Sequence, residues 1–284
     1  MESLPRAAVS AAGSPRRHIP RVLAYHKVAN FELGGTWVPP RRFERQMDAL
    51  LEAGFRFIDE AAFLDALDGR REGSNREILL TFDDGYRGLL ESAVPALEAR
   101  RIPTLVFLVS AFVGKDNTWD LRLPGRRFKH LAWDEIDDLT RRGFSFGSHT
   151  RTHRDLTRLP LDDLREELVH SKRELESRLG TQVQSLSYPF ARSAAAVRSE
   201  AARAGYRAAF TLYPKRASAV PDRFELRREA VYVIDTVGAI KGKLGSGLAF
   251  RLEDGKGRMI NAFASLTPLI KGCFARTSTT SRRE

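Results

Sequence analysis

Short apolar runs, each long enough for a β-strand, alternate with amphipathic helical segments along most of this chain. Seven runs rich in β-branched, aromatic or leucine residues lie at 22–25, 55–58, 78–82, 104–109, 144–147, 183–188 and 208–212. Between them, apolar residues at helical spacing predict helices, and a long one ends at Gly180. This alternation is typical of βα units, so we expect an α/β fold with a mainly parallel sheet, either open or closed as a barrel.

Length, cysteine content and charge narrow the class of protein further. We divide the 284 residues into a disordered leader (1–19), a main domain (20–235) and a basic, partly disordered C-terminal appendage (236–284). The single cysteine, Cys273, excludes an intramolecular disulfide. The net charge of +11 is scattered, without a basic helix or an aromatic-rich basic patch. This pattern argues against nucleic-acid binding, but it suits an anionic substrate or peripheral contact with an acidic membrane surface.

The N-terminal region has no apolar run of the length that a secretory signal needs, about 7–15 residues. No stretch of the sequence approaches the roughly 18 consecutive apolar residues of a membrane span. We therefore expect a cytoplasmic protein that contacts a membrane at most peripherally.

The first sign of chemistry is a pair of adjacent carboxylates, Asp83 and Asp84, in the sequence TFDDG at 81–85. An apolar strand delivers them at its C-terminal end, where parallel α/β folds place their active sites. Gly85 allows the backbone to turn there, so both side chains can reach one pocket. An ordinary Asp-Gly turn is the alternative explanation of this pair.

The second sign is a histidine pair, His149 and His153, in the sequence HTRTH at 149–153. It also follows a short apolar run, and two imidazoles four residues apart can converge on one metal ion. Histidines that are merely solvated or packed in the core are the alternative. Together, two histidines and one aspartate form a ligand set that suits Zn²⁺ or another divalent ion. The second carboxylate would then be available as the base that a metal-dependent hydrolase needs.

At these positions the sequence resembles the polysaccharide deacetylase family, also called the NodB homology domain or carbohydrate esterase family 4. TFDDG at 81–85 matches the family's first motif, and HTRTH at 149–153 matches its H-[ST]-x-x-H motif. Residues 103–108 resemble the family's P-A-T-x-F strand, and 186–190 resemble its third motif. The resemblance covers about 20–235, and it implies an irregular (β/α) barrel of about seven parallel strands with outer helices.

The resemblance also implies roles for individual residues. Asp84, His149 and His153 would bind the metal ion, most commonly Zn²⁺, and Asp83 would be the catalytic base. The family's histidine acid usually lies near the C-terminus, but this chain has no histidine after His170. A subgroup similar to the exopolysaccharide deacetylases carries that histidine on an N-terminal strand. Residues 23–28 resemble that strand, and its His26 would be the acid.

Two positions depart from the family's third motif. Where many members have an arginine three residues before the aromatic, this chain has Ser187. Arg228 would then hold the catalytic carboxylate, with Arg227 as a close rival. The usual glycine after the aromatic is Ala191, so the local turn cannot be taken over from the family.

The expected reaction is the metal-dependent removal of N-acetyl groups from a glycan or glycan precursor that contains N-acetylhexosamine. Tyr188, Pro189 and Phe190 of the third motif, together with Trp119, are the candidate substrate-binding residues. Two alternatives remain open: an esterase or amidase that acts on a non-glycan small molecule at the same metal site, and a catalytically inactive carbohydrate-binding relative. The four intact residues Asp83, Asp84, His149 and His153 argue against the inactive relative.

Overall fold

Parallel strands closed into a barrel form the centre of the molecule. The computed structural model describes residues 18–32, 35–118, 128–214 and 222–264. The strands are β1 (Arg21–Tyr25), β2 (Lys27–Val28), β3 (Trp37–Val38), β4 (Arg56–Phe57), β5 (Glu77–Phe82), β6 (Thr104–Leu108), β7 (Ser145–Ser148), β8 (Ser185–Ser187), β9 (Ala208–Leu212) and β10 (Leu226–Ala230). In the described residues, seven of them close in the order β1-β10-β9-β8-β7-β6-β5, and β5 pairs back to β1.

Helices surround the barrel and cover the outer faces of its strands. They are α1 (Pro40–Glu52), α2 (Glu60–Asp68), α3 (Gly88–Ser92), α4 (Val94–Ala99), α5 (Trp133–Arg141), α6 (Leu161–Arg165), α7 (Ser171–Leu179), α8 (Ala195–Arg203), α9 (Val237–Leu244) and α10 (Gly247–Ala264). A π-helical turn, Glu166–His170, joins α6 to α7. The predicted (β/α) barrel of about seven strands with outer helices is confirmed.

The barrel interior is packed with side chains and is not a pore. Successive residues of a strand point to opposite faces, so alternate residues of each strand face inward. Leu79, Leu105, Phe107 and Phe210 form one buried cluster with residues of α2. The ring of Phe63 on α2 lies 5.5 Å from that of Phe210. A rigid, filled barrel of this kind fixes the positions of the strand ends, where the chemistry is expected.

Six of the seven predicted strands are strands of the barrel. The remaining predicted strand lies outside the barrel, and the strand that closes the barrel was not predicted. The predicted strand at 55–58 forms β4, which among the described strands pairs only with the beginning of β5 and lies outside the closed ring. The barrel is closed instead by β10, which pairs with β1 and β9. Its sequence, LRREA, is too charged to suggest a buried strand. Its charges are accommodated by ion pairs, including one between Arg228 and Asp83.

The described part of the C-terminal appendage consists of α9 and α10. The ammonium group of Lys243 on α9 is fully buried and donates to Asp235 and to the carbonyl of Ala230, each at 2.5 Å. The boundary at 235 and the leader at 1–19 stay predictions, since residues 1–17 and 265–284 lie outside the described part. Among the residues that the structure describes, no helix has both the length and the apolar character needed to cross a membrane.

Candidate active site

The C-terminal ends of the barrel strands, here called the top of the barrel, bring together the motif residues. Asp83 and Asp84 follow β5, and the backbone N–H of Asp83 donates to the carbonyl of Tyr25 at 2.9 Å. Asp84 has a φ of 69° and Gly85 has one of 62°, so the chain turns sharply directly after Asp83. The positive φ of Gly85 favours glycine, and a Cβ there would also displace a terminal methyl carbon of Leu108, which it would approach to 2.5 Å.

Arg228 from β10 holds the carboxylate of Asp83 with two parallel hydrogen bonds of 2.7 Å each. The guanidinium also donates to the hydroxyl of Ser187 at 2.7 Å, and Ser187 donates to Asp83 at 3.3 Å. Burial raises the pKa of Asp83, but Arg228 outweighs it and holds that pKa well below its usual range. Asp83 is therefore ionised and fixed in orientation. Arg227 points elsewhere and pairs with Glu229.

The histidine pair lies at the end of β7, facing Asp84. The Nε2 atoms of His149 and His153 are 3.6 and 3.5 Å from the same oxygen of Asp84, Oδ1. The Nδ1–H of His149 donates to the carbonyl of Ser187 at 2.8 Å, which directs its Nε2 lone pair toward Asp84. Glu167 of the π-helical turn anchors the loop between the histidines, because its carboxylate accepts hydrogen bonds from the backbone N–H groups of residues 151 and 152.

The geometry and protonation of this cluster fit a divalent metal ion. Ligand atoms from Asp84, His149 and His153 all lie within 4.8 Å of one another. Around a tetrahedral ion with ligand bonds of about 2.1 Å, ligand atoms are roughly 3.4 Å apart, which is close to the separations observed. Burial lowers the pKa of His149 and lowers that of His153 further, so both rings are neutral, the form that binds metal ions.

His26 lies on the other side of Asp83, directly after β1. Its Nε2 is 3.9 Å from Oδ2 of Asp83, and 19% of its side chain is exposed. The ring therefore faces both the carboxylate and the opening at the top of the barrel. The structure thus brings His26 and Asp83 into one pocket with the cluster of Asp84, His149 and His153.

Besides Ser187, the third motif contributes the ring of Phe190 to this pocket, while Tyr188 and Pro189 lie in the core. The ring of Phe190 meets that of His153 edge to face, with centroids 4.8 Å apart. Pro189 is buried, and Tyr188 is buried with its hydroxyl donating to the carbonyl of Phe224 at 3.0 Å. Trp119, the remaining predicted substrate-binding residue, lies outside the described residues. The substrate-binding roles of these residues stay predictions.

One residue at this site was missed by sequence reasoning. His130 is buried, and its Nδ1–H donates to the backbone carbonyl of Asp84 at 2.7 Å. Its ring stacks on that of Tyr86, with centroids 5.1 Å apart. It therefore supports the turn in which Asp84 has a positive φ. No signal in the sequence indicates this, because His130 belongs to none of the motifs and its partner is a backbone atom.

Fold and site together define a class: a (β/α)-barrel hydrolase with a two-histidine, one-aspartate cluster whose geometry could hold a divalent metal ion. The family model described as polysaccharide deacetylase matches residues 70–209. YxkH of Bacillus subtilis (strain 168), which is assigned to the polysaccharide deacetylases, is 24% identical over 235 residues, covering 83% of this chain and 76% of YxkH. The chain therefore belongs to the polysaccharide deacetylase family and is a deacetylase.

Solved structures support the same fold. The Streptococcus pyogenes deacetylase PplD, in complex with acetate, has a TM-score of 0.69 at 20% identity, over 80% of this chain and 98% of PplD. IcaB from Ammonifex degensii has a TM-score of 0.67 at 23% identity, over 80% of this chain and 97% of IcaB. At these identities the likeness extends to the architecture of the barrel.

Proposed function

We propose that this deacetylase uses a divalent metal ion, most simply Zn²⁺, to remove N-acetyl groups from a glycan or glycan precursor that contains N-acetylhexosamine. The observation that carries the proposal is the convergence at the top of the barrel. There the Asp84, His149 and His153 ligand atoms lie within 4.8 Å of one another, directly beside an ionised Asp83.

Asp84, His149 and His153 would hold the ion. When bound, it would lower the pKa of a water molecule and polarise the acetyl carbonyl. The hydrogen bond from His149 to the Ser187 carbonyl keeps the ring in the tautomer that this role needs.

Asp83 would accept the proton of the attacking water. A general base must be ionised and within reach of that water, and Arg228 maintains both conditions. Arg228 is itself 1% exposed and lies over the ring of Phe107, 5.4 Å from its centroid. The carboxylate therefore cannot rotate away, which keeps its position constant through the reaction.

His26 would donate a proton to the departing amine. An amine leaves poorly as its anion, so an acid is required on the side of the pocket where nitrogen departs. His26 meets this requirement because it is partly exposed at the pocket opening and 3.9 Å from Asp83. This assignment supports a place in the subgroup with an N-terminal histidine.

The proposal is tested by measuring acetate release from N-acetylglucosamine oligomers before chelation, after chelation and after reloading with Zn²⁺. We expect release to disappear with the metal and to return with it. His26→Ala should lower the rate by about 10²–10⁴ without changing the amount of metal bound. His170→Ala, which alters an exposed histidine that is not one of the candidate site residues, is the matched control.

The other outcomes identify the alternatives. Release from O-acetylated sugars or from small amides, but not from N-acetylated sugars, would indicate an esterase or amidase at the same site. A protein that binds no metal after reconstitution and releases no acetate from any of these compounds would indicate an inactive carbohydrate-binding relative.

A further inference from the structure

A groove with a volume of about 790 Å³ opens beside the candidate active site. It is lined by the turn after β8, by the end of β9 and by α10. Ligand sites commonly have volumes of about 300–1,000 Å³, so the groove has room for a bound molecule. A cavity of equal volume lies at the opposite end of the barrel, around Arg56 and Glu77, and its described lining includes no residue of the active site. The groove beside α10, in contrast, shares Phe190 with the surroundings of His153.

Phe190 connects the groove to the active site. Its ring lies 4.8 Å from that of His153 and also lines the groove. A molecule with its acetyl group at the metal cluster therefore has to pass Phe190 to enter the groove. An aromatic ring at this junction offers the flat apolar surface that packs against a sugar ring.

The charged groups of the groove are matched, which indicates a neutral ligand. Each arginine that lines it is paired with a carboxylate: Arg192 with Asp155 (2.5 Å), Arg198 with Asp222 (2.9 Å) and Arg258 with Asp254 (2.8 Å). Paired groups retain hydrogen-bond donors and acceptors but attract anions weakly. Such a surface suits a ligand rich in hydroxyl and amide groups better than a phosphate.

The outer wall of the groove is built by α10, which lies beyond the segment matched by the family model. Gly257 allows the helix to approach closely, since a Cβ there would lie 2.1 Å from the hydroxyl of Tyr213. Arg258 secures the helix by donating to the carbonyls of Tyr213 and Pro214, each at 3.1 Å. Asn261, one turn further along α10, lines the groove. This wall is therefore held in place by specific contacts.

We propose that this groove is a subsite for the neighbouring sugar residues of an extended, uncharged glycan, and that α10 selects for chain length. The inference rests on the proposed function, because it assumes that the acetylated residue lies at the metal cluster. It assigns the C-terminal appendage a role in substrate binding.

The test compares the N-acetylglucosamine dimer and hexamer as substrates of the full-length, metal-loaded protein. Asn261→Trp fills the groove, and Met259→Trp places the same ring on the outer face of α10, where Met259 is 57% exposed. We expect Asn261→Trp to lower the hexamer-to-dimer ratio of kcat/KM on the order of tenfold, because one sugar residue loses its contacts. Met259→Trp should leave both the ratio and the hydrolysis of a small aryl acetate unchanged, and hydrolysis of that acetate by Asn261→Trp shows whether its metal cluster is intact.

An unchanged ratio in Asn261→Trp, or an equal loss on dimer and hexamer, would overturn the proposal. If Asn261→Trp also loses aryl acetate hydrolysis, Asn261→Ala decides instead: a fall in the ratio of about threefold to fivefold, with that hydrolysis kept, supports the proposal, and an unchanged ratio overturns it.

Failure of the proposed function is recognised separately, because the wild type itself would then release no acetate from either N-acetylated oligomer. The affinity of both oligomers can be measured by calorimetry on Asp83→Asn and on the double variant Asp83→Asn with Asn261→Trp. This measurement does not depend on turnover. Hexamer binding that is no tighter than dimer binding would overturn the subsite even then.

Discussion

The two ends of strand β5 each carry a buried carboxylate, and the two carboxylates are stabilised in different ways. Glu77 opens the strand at the bottom of the barrel, and Asp83 follows it at the top; they are 1% and 3% exposed. Glu77 pairs with Arg56 and Arg71, both close in sequence and themselves partly exposed. Asp83 pairs with Arg228, which is 145 residues away and 1% exposed.

This difference indicates what each end is for. A fully buried ion pair loses the hydration of both charges, so stability alone does not favour it over apolar packing. Under the proposed function, the pair of Asp83 and Arg228 keeps a carboxylate ionised and oriented beside the cluster of Asp84, His149 and His153. The pair at Glu77 keeps its guanidinium groups near water and closes the bottom of the barrel. We therefore propose that the top of the barrel is organised for chemistry and the bottom for stability.

Backbone strain follows the same division. Of the seven non-glycine residues with positive φ in the described part of the chain, six lie at the top of the barrel: Asp84, Thr150, His153, Phe190, Ala191 and Tyr213. Such conformations cost about 1–3 kcal/mol each and persist only where surrounding contacts enforce them. The top therefore uses stability that the rest of the barrel supplies.

The largest expected effect separates the two carboxylates by activity. Asp83→Asn removes the base but keeps the shape of the side chain, so we expect kcat for acetate release to fall by about 10²–10⁴. Glu77→Gln, the same chemical change at the bottom of β5, should leave kcat within a factor of about two, because no catalytic group contacts it. Initial rates with the metal-loaded proteins decide this. Comparable losses in both variants would contradict the division of β5 into two roles.

The next prediction concerns stability, and here Glu77 is the carboxylate whose replacement should have the effect. Burial raises the pKa of Glu77, but hydrogen bonds from Arg56 and Arg71 outweigh it and lower that pKa below 4.5. A carboxylate with a lowered folded-state pKa adds stability above its unfolded pKa and loses that stability as the pH falls through the folded value. Glu77→Gln should therefore reduce the free energy of unfolding by about 1.5–3 kcal/mol at pH 7.

Urea unfolding of wild type and Glu77→Gln between pH 3 and pH 7 measures this directly. The gap between the two proteins should narrow as the pH falls below about 4.5. Asp65→Asn, which removes an exposed carboxylate that pairs with Arg70, is the control and should change stability little. A gap that does not depend on pH would show that Glu77 acts through packing rather than through its charge.

Features that depend on local sequence patterns could be predicted from the sequence, whereas features that depend on contacts between distant residues could not. The parallel α/β fold and the convergence of Asp83, Asp84, His149 and His153 were predicted because strand periodicity and short motifs are local. The closed barrel was implied by the family resemblance that those motifs carry. The strand β10 was missed because its charges are compensated by residues far away in the sequence. His130 was missed for a related reason, since its partner is a main-chain carbonyl that any residue could supply.

His130 sharpens the comparison at the top of β5, because it supports Asp84 as Arg228 supports Asp83. His130→Ala removes the hydrogen bond to the Asp84 carbonyl, so the turn loosens and the metal affinity should fall about tenfold. Competition with a chromophoric chelator measures this affinity without turnover. His170→Ala is the matched control, and an unchanged affinity in His130→Ala would limit His130 to core packing.

The smallest expected effect tests the strain at the top by relieving it. Ala191 has a φ of 54°, a conformation that costs an L-residue about 1–2 kcal/mol but costs glycine almost nothing. Glycine also loses more freedom on folding, so Ala191→Gly should gain only about 0.5–1 kcal/mol in the free energy of unfolding. Ala204→Gly is the control of opposite sign, because Ala204 has a φ of −68° and should lose about that much. If urea unfolding shows that both variants lose stability equally, the turn after Phe190 is not strained, and the departure from the family's glycine would have cost nothing.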